Sequence, residues 1–276
     1  MLANLTDLTG PALEGGYAVA CFNVFGYEDA RAVVDAAEAR DASVILAVNL
    51  GMTEFMPLQH ITGMLRPLAE SAQVPVCVHL DHNYEIDTVK KAIDCGFSSV
   101  MYDGSQKSIA DNIAGIQDVV DHAHKLGVSV EAEVGSVPYA KGRDHIKSAL
   151  TSVVEALAMA EQGQPDALAI SIGNIHRIED SYVDIDFDNF DALEQVVKIP
   201  LVIHGTSGIK PEDIRNLARR SVCKFNIGTC LRQRFGSALR RTLSSDEKLF
   251  DRLTIMQKVM PELSDEASQM IELLGQ

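Results

Sequence analysis

The chain has 276 residues, 46 % of them hydrophobic, enough for one large domain or two modest ones. Its 39 acidic residues against 24 lysines and arginines give a net charge of −15, which argues against nucleic acid or an anionic membrane surface as the main partner. No apolar stretch approaches a membrane span, and the opening MLANLTDLTG has neither a basic start nor a long apolar run, so no membrane insertion and no signal peptide are expected. Five cysteines, odd in number and without a CxxC pair, read as buried thiols in a reducing cytoplasm.

Short apolar runs alternate with amphipathic helices along the whole sequence. Ala18 to Asn23 is strand-like and precedes a helix near Tyr27 to Arg40; Val44 to Asn49 precedes one through Gln59 to Ser71. Val76 to Leu80 is a third buried strand, after which Ile86, Val89 and Ile93 fall at helical spacing and Gly96 ends the helix. Ser98 to Asp103 is the fourth, with Ile109, Ile113, Ile116 and Val120 on one face of its helix and Gly127 as the stop. Val128 to Val134 is the fifth, followed by a polar loop to about Ser148 and a helix near Ser152 to Gln162. Ala167 to Ile172 is the sixth, with a helix near Asn189 to Val196. Leu201 to His204 is the seventh, and Pro211 opens its helix from a first-turn position. Val222 to Ile227 is the eighth, with a helix from about Cys230 to Leu243. Residues from about 246 to 276 read as one or two extra helices that cap the fold or pack on a partner.

Eight strand–helix units in series, without a linker, predict a single (β/α)8 TIM barrel over residues 1–276 with a C-terminal helical extension. An open doubly wound sheet would alternate similarly, but no GxGxxG follows the first strand. Active sites of such barrels sit at the C-terminal ends of the strands. Those ends carry Asn23, Asn49, Asp81 with His82, Asp103, Glu133, His176, His204 and Asn226. Asparagines alone would be ordinary turn residues, whereas three histidines after the third, sixth and seventh strands match the three-imidazole composition of a catalytic zinc site. His60, His122, His124 and His145 fall on helices or in a loop and read as surface residues. His79 shares a strand face with Asp81 and is either a support for the site or a satisfied core histidine. Glu131 and Glu133 share one strand face, and Lys224 and Asn226 share another; if those faces point into the barrel, either Lys224 neutralises one glutamate and the metal the other, or Glu131 and Lys224 form a buried salt-bridge layer without a catalytic role. HGTSG, from His204 to Gly208, offers backbone donors and hydroxyls, and Asn226 to Thr229 leads into a helix N-terminus, so both read as phosphate loops.

HLDH, MYDGS, VEAEVG, SIGNIH, VIHGTSG and NIGT, in this order and spacing, resemble the class II, metal-dependent ketose-bisphosphate aldolases. The resemblance begins near Leu5, runs through GYAVACFNV and covers almost the whole chain. It implies zinc, or another divalent transition metal such as cobalt, iron or manganese, on His82, His176 and His204, with Asp103 and Glu133 as auxiliary metal carboxylates. It also implies Asp81 as the acid/base and phosphate on Gly205, Ser207, Asn226 and Thr229, while Asn23 and Asn49, from their strand-end positions, are candidate substrate contacts. Two departures stand out. Arg177 occupies the position after the second zinc histidine, where the family usually has a glycine whose backbone helps bind phosphate or a monovalent cation; an arginine there either adds a charged contact to the substrate phosphate or excludes the usual one. The loop SVPYAKGRDHIKS lacks the glutamate that moves a proton at the donor carbon, leaving Tyr139, Asp144 and His145 as substitutes.

The activity so implied is reversible aldol cleavage of a phosphorylated ketose to dihydroxyacetone phosphate and an aldehyde, through an enediolate whose charge the metal holds. The alternatives are a metal-dependent sugar-phosphate isomerase or epimerase, which would use the same enediolate without breaking a carbon–carbon bond, and a non-catalytic aldolase-like subunit. The resemblance further implies a homodimer or homotetramer, with Leu249, Leu253, Met256 and Met260 available either for a subunit contact or for covering the barrel's own helices.

Overall fold

The computed structural model describes residues 1–140 and 146–276. Asp144 and His145, two of the three candidates for the missing loop glutamate, lie outside the described residues, as does the surface reading of His145. Among the described residues nine strands form: β1 Leu2–Ala3, β2 Val19–Asn23, β3 Val44–Val48, β4 Val76–Asn83, β5 Ser99–Tyr102, β6 Ser129–Val134, β7 Ala167–Ile170, β8 Leu201–Ile203 and β9 Val222–Ile227. The order β4-β3-β2-β9-β8-β7-β6-β5 is parallel throughout and closes through β4–β5, giving the eight-stranded barrel expected from the alternation. The two-residue β1 adds to the lower end of β4, with Leu2 opposite Val76.

Helices cover the outer face of the strands with branched apolar side chains, which gives the larger of two cores. The smaller core lies inside the barrel. Val19, Cys21, Ile45, Ala47, Cys77, Ala167, Ala169, Val202 and Cys223 fill it, and Leu5, Leu8 and Ala12 plug its N-terminal mouth. Those last three come from the Leu5–Gly15 helix, which the strand–helix pattern does not reveal because Gly10 and Pro11 interrupt it. Asn4 caps that helix through a capping box with Asp7. The small side chains low in the barrel leave the upper interior to polar groups: His79, Glu131 and Lys224 form a middle layer, all fully buried.

The C-terminal helix Arg252–Leu273 buries Ile255, Val259, Leu263, Ala267 and Ile271, spaced four apart, against the chain's own helices Tyr27–Ala39 and Thr229–Ser245. That stripe settles what the helix covers. Met256 and Met260 pack partly buried beside it, while Leu253 is exposed. All five cysteines are free, and no described helix is long and apolar enough to cross a membrane.

Candidate active site and metal centre

The sequence places Asp81 and His82 side by side, and the period of two in a strand would send them to opposite faces. The structure resolves this with a bulge. Leu80 pairs with Val100 and Asn83 with Tyr102, so β4 spends one residue more than β5 over this stretch. His82 takes up the extra residue with φ +37, a left-handed conformation uncommon for a non-glycine residue. The strand therefore runs on to Asn83 instead of ending at Leu80, and both Asp81 and His82 line the mouth of the barrel.

His176 and His204 arrive from the loops after β7 and β8. The His82 ring centroid lies 4.5 Å from that of His204 and 5.2 Å from that of His176. Gly205 makes the approach feasible: it has φ +71, and a Cβ there would lie 2.6 Å from the Ile175 carbonyl oxygen. Asn174 ties the same loops together, donating to the His204 carbonyl at 2.8 Å. Tyr139 stacks on His176 at 4.4 Å with the rings 19° apart.

Carboxylates hold the histidines from outside. His82 Nδ1 lies 2.9 Å from Asp103 Oδ2, and His204 Nε2 lies 2.8 Å from Glu131 Oε1, the arrangement that fixes tautomer and ring direction in metal-binding histidines. The remaining nitrogens, His82 Nε2 and His204 Nδ1, face each other at 2.9 Å. One set of potential ligand atoms is His82, His176 and His204; a second is His82, Asp103 and Glu133. His176 Nε2 and Glu133 Oε2 are buried with no hydrogen-bond partner, which is costly unless a ligand satisfies them. An imidazole-rich set with orphaned donor atoms fits a divalent transition metal.

The electrostatics agree. Burial, then the neighbouring His82, holds His176 and His204 well below the ordinary histidine range, so both are neutral as ligands must be. Burial would lower His82 too, but Asp81, Asp103 and Glu133 outweigh it and raise its pKa to about 10. A metal taken up at His82 therefore displaces a proton. Burial, aided by Asp103, pushes Glu133 well above the carboxylate range, as expected for an acid awaiting a cation.

Asp81 is buried yet fully solvated by protein: Asn23 donates to one carboxylate oxygen at 2.9 Å and Asn226 to the other at 2.9 Å. Burial acts to raise its pKa, but His82, His204, Lys224 and the Asn23 hydrogen bond more than offset this, so the carboxylate is ionised. Asp81 Oδ1 is 4.0 Å from His82 Nε2. His79 bonds Ser99 at 2.9 Å, with its other nitrogen 3.8 Å from Glu131 and its pKa pushed by burial to about 3.

A cleft of about 260 Å³ opens from this cluster. Asn23, Asn49, Asp81, His82, His176, Arg177, Gly205, Ser207, Asn226 and Thr229 all line it, whereas Asp103 and Glu133 stand behind His82. Asn49 also caps the short helix Leu50–Phe55, its oxygen 3.4 Å from the Met52 amide. Ser207 lies in a single 3-10 turn, and Thr229 is the first residue of the seventeen-residue helix Thr229–Ser245. Arg177 adopts φ +60, so the chain keeps at this position the left-handed backbone natural to glycine while adding a guanidinium 5.2 Å over the Tyr139 ring. Arg232 was not selected from the sequence although it lines the cleft; its position in the first turn after Thr229 was the available signal.

The family model described as fructose-bisphosphate aldolase class-II matches residues 3–276. The chain belongs to that family. It is an aldolase, a carbon–carbon lyase, with the barrel of its class. The YdjI aldolase from Escherichia coli K12 is similar at 30 % identity, with 100 % of this chain and 98 % of that chain covered and a TM-score of 0.87. A fructose-bisphosphate aldolase from Campylobacter jejuni shares the fold at 22 % identity, over 99 % of this chain and 95 % of that one, with a TM-score of 0.85.

Proposed function

We propose that this aldolase is zinc-dependent and reversibly cleaves a phosphorylated ketose to dihydroxyacetone phosphate and an aldehyde, with Asp81 as the acid/base. The observation that carries the reading is an ionised, buried carboxylate gripped by two amides beside three converging imidazoles. His82, His176 and His204 would hold the metal, with Asp103 and Glu133 behind them. A divalent cation there supplies Lewis-acid polarisation of the ketose carbonyl and an electrostatic sink for the charge left by cleavage.

The protein's own groups supply the rest. Asp81 accepts the proton of the hydroxyl on the departing aldehyde half, and the carbon–carbon bond breaks as that hydroxyl becomes a carbonyl. Asn23 and Asn226 keep the carboxylate directed while it takes that proton. Gly205, Ser207, Asn226 and Thr229 hold the donor phosphate, the last at a helix N-terminus where backbone N–H groups favour an anion. Arg177, also in the cleft lining, adds a positive charge that contacts the phosphate. Of the three candidates for reprotonating the donor carbon, Tyr139 is the one whose place in the cleft is described. Asn49, which also lines the cleft, is a further substrate contact. Free thiols support a cytoplasmic enzyme, and exposed Phe250 and Leu253 support a homodimer or homotetramer.

Incubation with a panel of ketose phosphates and zinc, with product identification by mass, tests the bond broken. Release of triose phosphate is expected. A product of unchanged carbon number would replace this reading with a metal-dependent isomerase.

A further inference from the structure

Lys224 is fully buried inside the barrel, and aldol chemistry of this kind makes no direct use of it. Removing an ammonium from water costs several kcal/mol, so its partners must compensate. It has two: Nζ lies 2.8 Å from Glu131 Oε2 and donates to Asn226 Oδ1 at 2.6 Å. Burial opposes its charge, yet Cys21, Glu131 and Asp81 raise its pKa above the ordinary lysine value, so it stays protonated.

The chemistry of the three groups dictates their order. An ammonium only donates and a carboxylate only accepts. Asn226 lies between the two, so its oxygen must face Lys224 and its NH₂ must face Asp81 Oδ1, as the 2.6 Å and 2.9 Å contacts have it. Lys224 and Asn226 sit two residues apart on β9 and therefore share one strand face, which fixes their spacing. Among the described residues the Asn226 side chain has only these two anchors.

We propose that Lys224 is a positioning residue for the acid/base: it holds Asn226 from behind, and Asn226 in turn keeps the Asp81 carboxylate aimed at the substrate. Glu131 is the counter-charge that permits a cation at this depth. The proposal rests on Asp81 being the acid/base. Without Lys224 the asparagine swings on one anchor, Asp81 loses a fixed donor, and a displacement of about 1 Å at a reacting group costs on the order of 10²-fold.

The test replaces ion and counter-charge together, Lys224→Met with Glu131→Gln, so that neither is left buried without the other. Relative to the parent, the pair is expected to lower kcat by about 10–100-fold with KM nearly unchanged and bound metal unchanged. Lys224→Gln, which retains an N–H donor, should recover most of the loss. With Asn226→Ala added, Lys224→Met should cost almost nothing further, since the two act as one unit. Equal kcat with and without the lysine, or the same loss whether or not Asn226 is present, would overturn the proposal. If the methionine variant does not fold, Lys224→Leu, which likewise lacks an N–H donor, is compared in the same Asn226→Ala background and read the same way. An active Asp81→Ala enzyme would instead remove the acid/base reading itself, whereas an inactive one with Lys224 losses independent of Asn226 would remove only the positioning role.

Discussion

Replacing Asp81 with alanine is expected to lower turnover of the ketose phosphate by about 10²–10⁴-fold, the usual contribution of a positioned acid/base, while the enzyme keeps its metal. Asp81 is outside both sets of converging ligand atoms, so its loss spares the metal centre. Its two oxygens are each held by an amide, and the substitution strands Asn23 and Asn226 at the barrel mouth. Asp81→Asn is the companion variant: it preserves shape but cannot take the proton, and the same loss is expected. Steady-state cleavage together with metal analysis of the purified protein checks both. Turnover near the parent value in either variant would exclude Asp81 from proton transfer.

Loss of His176 should have a comparable effect through a different route. Its Nε2 is buried with no hydrogen-bond partner among the described residues, and the ring stacks on Tyr139 and meets the His82 ring edge-on. His176→Ala therefore removes an unsatisfied nitrogen and leaves the barrel standing. The parent protein should gain about 2.7 kcal/mol of stability at a hundredfold excess of zinc over its Kd, seen as a rise in Tm. The variant should lose most of that rise and its activity together, because removing a ligand outweighs the 10–100-fold typical of losing an outer hydrogen-bond partner. An unchanged zinc-dependent rise would place the metal elsewhere.

Much of this was legible in the sequence because α/β barrels write themselves plainly: strands buried on both faces read as apolar runs, and each run here coincides with a strand. The strand ends likewise exposed Asp81, His82, His176 and His204, since polar groups after apolar runs mark the rim. Three features escaped that logic. Strand periodicity cannot put Asp81 and His82 on one face; only the bulge against β5 does, and a bulge depends on the neighbouring strand's length. The plugging helix Leu5–Gly15 is hidden by its own glycine and proline, and tertiary burial of Leu5, Leu8 and Ala12 overrides them. The outer grip of Glu131 on His204, and of Lys224 on Asn226, depends on which side chains meet across the barrel, information that no local pattern carries.

The most direct test of the account is deuterium exchange into dihydroxyacetone phosphate in D₂O, followed by NMR, with and without a chelator. It isolates proton transfer at the donor carbon from any choice of aldehyde. Exchange at one donor proton, abolished by chelation and restored by zinc, is the predicted result. Absence of exchange in protein shown to contain metal would contradict dihydroxyacetone phosphate as the donor.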